Sequence, residues 1–163
     1  SQPSQKHFDT LVWDKLRSFN AQQTVFVEAE SKKVGNVAVP ESLMDVMRDS
    51  PCIDLQLSDD ERVKLLLEDY DFFAQDTDLF SNRLDLLTAL KGKAVVNAWQ
   101  AQLNNGQIEP VVRDLLIDHY DPTYAKSVAR NFAKHPQATA APLSDRHSAA
   151  MQALAKKLLK QFG

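Results

Sequence analysis

The alternation of apolar and polar residues predicts a mostly helical chain that begins with an α/β part. Residues 4–19 carry apolar side chains at helical spacing and predict a first helix. Residues 24–29 are rich in β-branched and aromatic side chains and predict the first strand. A short helix at residues 41–48 and a second strand at residues 52–57 follow. We expect the two strands to lie parallel and close together, joined by that helix through a right-handed crossover.

The middle of the chain has only helical periodicity. Ser58 and Glu61 form a predicted capping box that starts a helix. From residue 76 to residue 134 no segment has a strand pattern, and three apolar runs indicate three helices that form an insertion or lid beside the sheet. The runs are Leu79, Leu84, Leu86, Leu87 and Leu90; Val95, Val96, Trp99 and Leu103; and Ile108, Val111, Val112, Leu115 and Leu116. Gly92 predicts a break between the first two.

The C-terminal part predicts two helices and one strand. Asp121 followed by Pro122 is typical of a helix start, with a capping carboxylate and then proline at the first helical position. Residues 138–143 predict a third short strand, and Ser144 is a candidate cap for the final helix. The predicted fold class is therefore α/β, predominantly helical, with a short parallel sheet.

Length and composition favour one globular domain that needs no disulfide or structural metal ion for stability. A chain of 163 residues buries a sufficient core on its own, and the single cysteine excludes an internal disulfide framework and suits the cytoplasm. No apolar run reaches the length of a membrane span, so we expect no membrane partner. Four histidines and one cysteine give no metal site. Within the single domain, residues 1–163, we expect residues 1–75 and 136–163 to form the sheet part and residues 76–135 the helical subdomain.

Charged side chains follow the first predicted strand directly and mark the candidate site. Glu28 and Glu30 alternate to the same side of an extended chain, and Ser31, Lys32 and Lys33 come next. In an open α/β sheet, ligands bind beyond the carboxyl ends of the strands. A carboxylate there could hold a metal ion or its water, and the two lysines could offset the charge of a phosphorylated ligand. A solvated junction between strand and loop explains the same residues.

The net charge of −3 is unevenly distributed along the chain. Residues 1–90 contain 9 Lys and Arg against 17 Asp and Glu, whereas residues 91–163 contain 10 against 5. Because Lys and Arg supply most non-specific affinity for nucleic acids, this asymmetry suits a C-terminal half that faces RNA.

One predicted helix concentrates this positive charge. Lys126, Arg130 and Lys134 recur every four residues, about half a turn from an apolar stripe that begins at Tyr124. The three cations could contact RNA phosphates, and a solvated helix face is the alternative.

Several short motifs, in order, resemble those of the bacterial tRNA 2-selenouridine synthase family. Residues 28–35 read E-A-E-S-K-K-V-G and are similar to the family's E-A-E-S-[KR]-[KR]-[IV]-G. The other matching motifs are Q-P-S-Q at 2–5, P-E-S-L at 40–43, S-P-C at 50–52, L-L-E-D-Y at 66–70, H-Y-D-P-T-Y at 119–124 and R-N at 130–131. The resemblance spans residues 2–132 of the chain.

The resemblance implies a fragment of a larger enzyme. Members of the family carry an N-terminal rhodanese-like domain with a reactive cysteine, followed by a P-loop domain that opens with a Walker A motif. Here the four glycines have no pair at the spacing of G-x-x-x-x-G-K-[ST]. We therefore expect the C-terminal part of a P-loop NTPase-like domain, with the rhodanese-like and phosphate-loop parts of the same chain as partners.

The implied activity is that of a tRNA-modifying transferase. The family converts wobble 2-thiouridine to 2-selenouridine through a geranylated intermediate, using geranyl diphosphate and selenophosphate, with magnesium as a further candidate cofactor. Glu28 and Glu30 are then the catalytic candidates, and Ser31, Lys32 and Lys33 bind phosphate. The predicted tRNA-binding residues are Tyr124, Lys126, Arg130 and Lys134.

Without the phosphate loop, the isolated chain is expected to hold no cofactor and to be inactive. Two alternatives from other classes remain open. One is the remnant of a P-loop nucleotide-dependent kinase or ATPase, and the other is a noncatalytic helical module that binds RNA or protein.

Overall fold

Helices dominate the computed structural model, as the apolar periodicity predicts. The structure describes residues 2–29, 32–70 and 76–163. The chain forms two compact units: the first unit comprises Ser1–Leu55, Val128–Ala141 and Met151–Gly163, and the second unit comprises Gln56–Ser127 and Pro142–Ala150. The finer division into a sheet part and a helical subdomain stays a prediction. No helix among the described residues is long and apolar enough to cross a membrane.

The first unit is built around a hairpin and short helices. Helix α1 (Gln5–Arg17) precedes strands β1 (Lys33–Val34) and β2 (Val37–Ala38), which pair antiparallel. Gly35, with φ of +61°, occupies the first central position of the two-residue turn, where a type II′ turn requires a positive φ. Helix α2 (Glu41–Arg48) follows and confirms the predicted helix at 41–48.

The predicted strand at residues 24–29 is wrong. These residues are exposed, and none of them is assigned to a strand. Strand β3 (Ile53–Gln56) pairs instead with β4 (Thr139–Pro142). The amide of Thr139 donates to the carbonyl of Cys52 at 2.9 Å, and the amide of Leu143 donates to the carbonyl of Gln56 at 2.7 Å. From the first of these bonds to the second, the sequence number rises by four in both strands, so β3 and β4 run parallel. The predicted short parallel sheet is therefore confirmed.

Three helices supply the core of the second unit, namely α4 (Thr77–Asp85), α6 (Lys93–Asn104) and α7 (Ile108–Leu115). The short helix α5 (Thr88–Lys91) lies between α4 and α6 in the chain and contributes no buried residue. The buried residues of this core are Phe80, Leu84, Val96, Trp99, Leu103, Val111 and Leu115. Gly92, with φ of +86°, separates α5 from α6 as predicted. The single helix predicted for Leu79 to Leu90 is instead divided between α4 and α5.

The α-helix predicted to start at Asp121 and Pro122 is confirmed by α8 (Asp121–Asn131), but the predicted cap is wrong, because α7 continues into this helix through a π-helical turn (Leu116–Tyr120). The amide of Asp121 donates five residues back, to the carbonyl of Leu116. Pro122 has no N–H for the carbonyl of Asp118, and the ammonium of Lys91 donates to that oxygen instead. Rather than capping the helix, Asp121 binds both terminal nitrogens of Arg62, at 2.5 and 2.9 Å.

The remaining predictions near the C-terminus are partly right. Strand β4 confirms the predicted third strand, but helix α9 (Ser148–Phe162) begins after Ser144, whose hydroxyl donates to Asp145 at 3.0 Å.

Helix α3 (Asp59–Asp69) begins as predicted, with the hydroxyl oxygen of Ser58 accepting from the amide of Glu61 at 3.4 Å. The carboxylate of Glu61 does not complete the box, because Arg146 binds it.

Candidate functional site

Two glutamines of the Q-P-S-Q motif hold the β1–β2 hairpin. The side-chain amide of Gln2 donates to the carbonyl of Val34, and its oxygen accepts from the amide of Asn36 at 2.9 Å. Gln5 accepts from the amide of Ala38 at 2.9 Å and donates to the carbonyl of the same residue at 2.8 Å. All four bonds use hairpin backbone groups, so the start of α1 fixes the position of the segment that follows the candidate site.

The local sequence explains why these glutamines are in place. Ser4 caps α1, with its hydroxyl oxygen accepting from the amide of His7 at 3.3 Å, and the helix therefore begins between the two glutamines. At the hairpin turn, a Cβ on Gly35 would lie 2.5 Å from Nε2 of Gln2. Glycine at this position thus serves both the turn conformation and the close approach of Gln2.

Lys32, the first described residue after the predicted carboxylates, is held at both its backbone and its side chain. Its carbonyl accepts from the amide of Val39 at 2.8 Å, and its ammonium binds the carboxylate of Glu41. Arg48 reaches the other oxygen of Glu41 at 3.0 Å. The hydrogen bond from Lys32, and secondly that from Arg48, lowers the pKa of Glu41. The predicted phosphate-binding lysine is therefore present as one member of a three-residue ion cluster.

The other predicted residues of this segment are only partly described. Glu28 is exposed, and Lys33 lies exposed in β1. Glu30 and Ser31 lie outside the described residues. Since residues 24–29 form no strand, the side on which Glu28 and Glu30 would align is not set by a sheet. The catalytic role of the two carboxylates and the phosphate-binding role of Ser31, Lys32 and Lys33 stay predictions.

The predicted RNA-binding residues follow α8 and the turn beyond it. Tyr124 is 54% exposed, and Lys126 and Arg130 are exposed on the same helix. Lys134 lies past the helix end, where its ammonium is 3.1 Å from a carboxylate oxygen of Asp49. Neither Lys126 nor Arg130 forms an ion pair within the described ranges, so two of the three cations keep their charge accessible.

Sequence reasoning missed an arginine that organises the second unit. Arg146 donates to Glu61 through its amide at 3.2 Å and through Nη1 at 3.0 Å, and it reaches Glu68 at 2.5 Å. The backbone bond first, then the side-chain bonds from Arg146 and Lys64, lower the pKa of Glu61 to about 2. No local pattern signals this cluster, because Arg146 and Glu61 are 85 residues apart. The role of Gln2 and Gln5 was also missed, although their motif was visible.

Comparison with known proteins confirms the family resemblance. Residues 1–79 match the family model of the tRNA 2-selenouridine synthase AAA domain. The tRNA 2-selenouridine synthase of Alcanivorax borkumensis is 29% identical over 157 aligned residues, which cover 79% of this chain and 43% of that protein. The chain thus spans less than half the length of this relative. No solved structure matches the chain significantly.

Proposed function

We propose that this chain, whose residues 1–79 match the AAA domain of the tRNA 2-selenouridine synthase family, is the C-terminal part of a cytoplasmic tRNA-modifying transferase. The family match carries this proposal, and residues of three matching motifs, Q-P-S-Q, E-A-E-S-K-K-V-G and P-E-S-L, contact one another or the hairpin in the first unit. In the full-length enzyme, wobble 2-thiouridine is geranylated from geranyl diphosphate, and the geranylated sulfur is then replaced by selenium from selenophosphate.

Lys32 and Lys33 are proposed to stabilise the anionic phosphate groups of both co-substrates. Preorganised cations lower a barrier most where negative charge develops, as on a departing diphosphate. The hairpin supports this role, since it fixes the backbone of Lys32 while its ammonium remains partly exposed. An anionic ligand would compete with Glu41 for this ammonium, and Arg48 would retain Glu41 as the ligand binds.

The carboxylates suit a magnesium ion or the positioning of water. Glu28 presents exposed carboxylate oxygens, the ligand type that magnesium prefers, and one or two carboxylates suffice where substrate phosphates complete the shell. A bound magnesium would neutralise phosphate charge. Glu28, or Glu30 beside it in sequence, would orient the ion or its water.

The isolated chain is proposed to be inactive because the phosphate-loop part of the P-loop NTPase-like domain supplies the cradle for the phosphates. The exposed apolar segment after α1 supports such a partner. Val25, Phe26 and Val27 are 42%, 42% and 54% exposed, and no described backbone group bonds to them. Strand pairing with the phosphate-loop part would bury these side chains. The rhodanese-like part is the second proposed partner from the same protein.

Activity of the full-length protein tests the site. Glu28→Gln and Lys32→Ala should each lower geranyl or selenium transfer to 2-thiouridine tRNA by roughly a hundredfold or more. Both variants should melt near the wild-type temperature, since exposed ion pairs contribute at most about 1 kcal/mol. Lys6→Ala, an exposed lysine on α1, is the control and should retain activity. Full activity in both site variants would refute the assignment.

Binding of tRNA is proposed to use Tyr124, Lys126, Arg130 and Lys134, and the isolated chain is sufficient to test it. Lys126→Ala combined with Arg130→Ala should weaken binding and lower the salt dependence by about two phosphate contacts. The matched control combines Lys6→Ala with Lys93→Ala, which removes the same charge elsewhere. Fluorescence anisotropy with labelled tRNA at several salt concentrations measures both quantities. An equal loss of tRNA affinity in the two double variants would show that net charge, and not a site on α8, accounts for the binding.

A further inference from the structure

Glu41 belongs to the P-E-S-L motif, and the proposed function gives this motif no role of its own. Pro40 precedes the first residue of α2, and its carbonyl accepts from the amides of Leu43 and Met44, both at 3.0 Å. The side chain of Met44 is buried and anchors the same turn. The local fold therefore holds Glu41 at the start of α2, independently of the ion pairs that its carboxylate makes.

Both carboxylate oxygens of Glu41 are bound to cations. The ammonium of Lys32 binds Oε2, and Nη1 of Arg48 lies 3.0 Å from Oε1. The same Nη1 lies 3.4 Å from a carboxylate oxygen of Asp45, one turn along α2. Two carboxylates thus face two cations, and the cluster has no net charge to attract an anion. An anion that approaches Lys32 meets an ammonium that already has a carboxylate partner.

Arg48 has unused capacity to bind Glu41. Its Nε is buried and has no hydrogen-bond partner within the described part of the chain. A buried donor without a partner carries a desolvation cost, and a further bond to a carboxylate relieves it. Guanidinium groups commonly bind carboxylates through two donors at once. Arg48 can therefore take a larger share of Glu41 when the ammonium of Lys32 turns to another anion.

We propose that Glu41 and Arg48 set the affinity of Lys32 for phosphate groups, an inference that rests on the proposed function of Lys32. Glu41 lowers this affinity because it occupies the ammonium, and Arg48 raises it because it draws the carboxylate away. Both are positioning residues, since they act on the ligand through Lys32. An exposed ion pair changes an equilibrium constant by up to about fivefold, and the effect of Glu41 should have this size.

A titration of the chain with inorganic diphosphate, followed by NMR at the backbone amides of residues 32–34, tests the role of Glu41. Glu41→Gln should tighten diphosphate binding about two- to fivefold. Adding Lys32→Ala to this variant should remove the gain, because the freed ammonium is then missing. Asp45→Asn removes the same charge one turn along α2 and is the control. It should bind diphosphate like the wild type, since Asp45 forms no ion pair with Lys32 among the described contacts.

The role of Arg48 is tested in two backgrounds. Arg48→Met should weaken diphosphate binding about twofold in the wild-type chain, because Glu41 then has only Lys32 as its cation. In the Glu41→Gln chain the same substitution should leave the affinity nearly unchanged, since Arg48 acts through Glu41. An equal loss in both backgrounds would show a plain charge effect and overturn the proposal. So would a Glu41→Gln chain that binds diphosphate no more tightly than the wild type, including the case in which neither binds.

These measurements separate the inference from the proposed function. If diphosphate affinity follows Glu41 and Arg48 as described but full-length protein with Lys32→Ala keeps its transfer activity, the effect on Lys32 stands and its proposed role in the reaction fails. If Lys32→Ala abolishes transfer but Glu41→Gln leaves diphosphate binding unchanged, only the inference about Glu41 is wrong.

Discussion

Truncating Leu84 tests whether the second unit has the packed core described above. Leu84 on α4 is 1% exposed, and Leu86, two residues later, is 73% exposed. Leu84→Ala removes three buried carbon atoms, worth about 0.8 kcal/mol each, and leaves a cavity whose lining loses further contacts. We expect a loss of about 3–4 kcal/mol in the free energy of unfolding. Leu86→Ala, the same change at an exposed site, should remain within about 0.5 kcal/mol of wild type.

Urea unfolding, monitored by the fluorescence of Trp99, measures the difference in unfolding free energy between the two variants with a probe in the same core as Leu84. Trp99 belongs to the same buried cluster as Leu84, and the exposed Trp13 can be replaced by phenylalanine to remove its signal. In a thermal melt the expected loss corresponds to a fall of about 10 °C, at roughly 2–4 °C per kcal/mol for a chain of this size. A difference below about 1 kcal/mol between Leu84→Ala and Leu86→Ala would refute the packing of α4.

Three further predictions concern single residues and nucleotide binding. Arg146→Met should lower the free energy of unfolding at neutral pH, and this loss should shrink as the pH falls from 4.5 toward about 2. The reason is that the lowered pKa of Glu61 stabilises the fold above this pH window, and the stabilisation disappears as Glu61 becomes protonated. Urea unfolding of both proteins at several pH values measures the loss, and parallel pH profiles would contradict the prediction. Ser58→Ala should cost about 1 kcal/mol in urea unfolding through the lost cap of α3, whereas a change near zero would show that the 3.4 Å bond contributes nothing. Calorimetry of the chain with ATP or GTP and magnesium should show no micromolar binding, and such binding would contradict the absence of a phosphate cradle.

Helices were predictable because their signals are local. The helices α1 and α2, the helix break at Gly92 and the core position of Trp99 all follow from residues within one or two turns. Strand formation depends on a partner, which composition does not provide. Residues 24–29 have strand-forming side chains, but none of them is assigned to a strand.

The π-helical turn and the candidate site show the same limit. Asp121 and Pro122 have the local pattern of a helix start, but Arg62 binds Asp121 from α3 and Lys91 satisfies the carbonyl that Pro122 leaves without a partner. At the candidate site, the motifs mark the segments that contact one another at the hairpin. The function of Gln2 became visible only once the hairpin lay beside it, since its partners are backbone groups about 32 residues away.

The four hydrogen bonds from Gln2 and Gln5 to the hairpin backbone make the hairpin more tolerant of substitution than the two glutamines. Gln2 and Gln5 recognise backbone amides and carbonyls, so the side chains at positions 34, 36 and 38 are free to vary without loss of the four hydrogen bonds. The glutamines have no such freedom, because their own side chains provide every donor and acceptor. In a chimaera with a related enzyme, the hairpin could therefore be exchanged alone if the acceptor retains Q-P-S-Q. Exchanging α1 from a donor without these glutamines would release the hairpin, and with it Lys32.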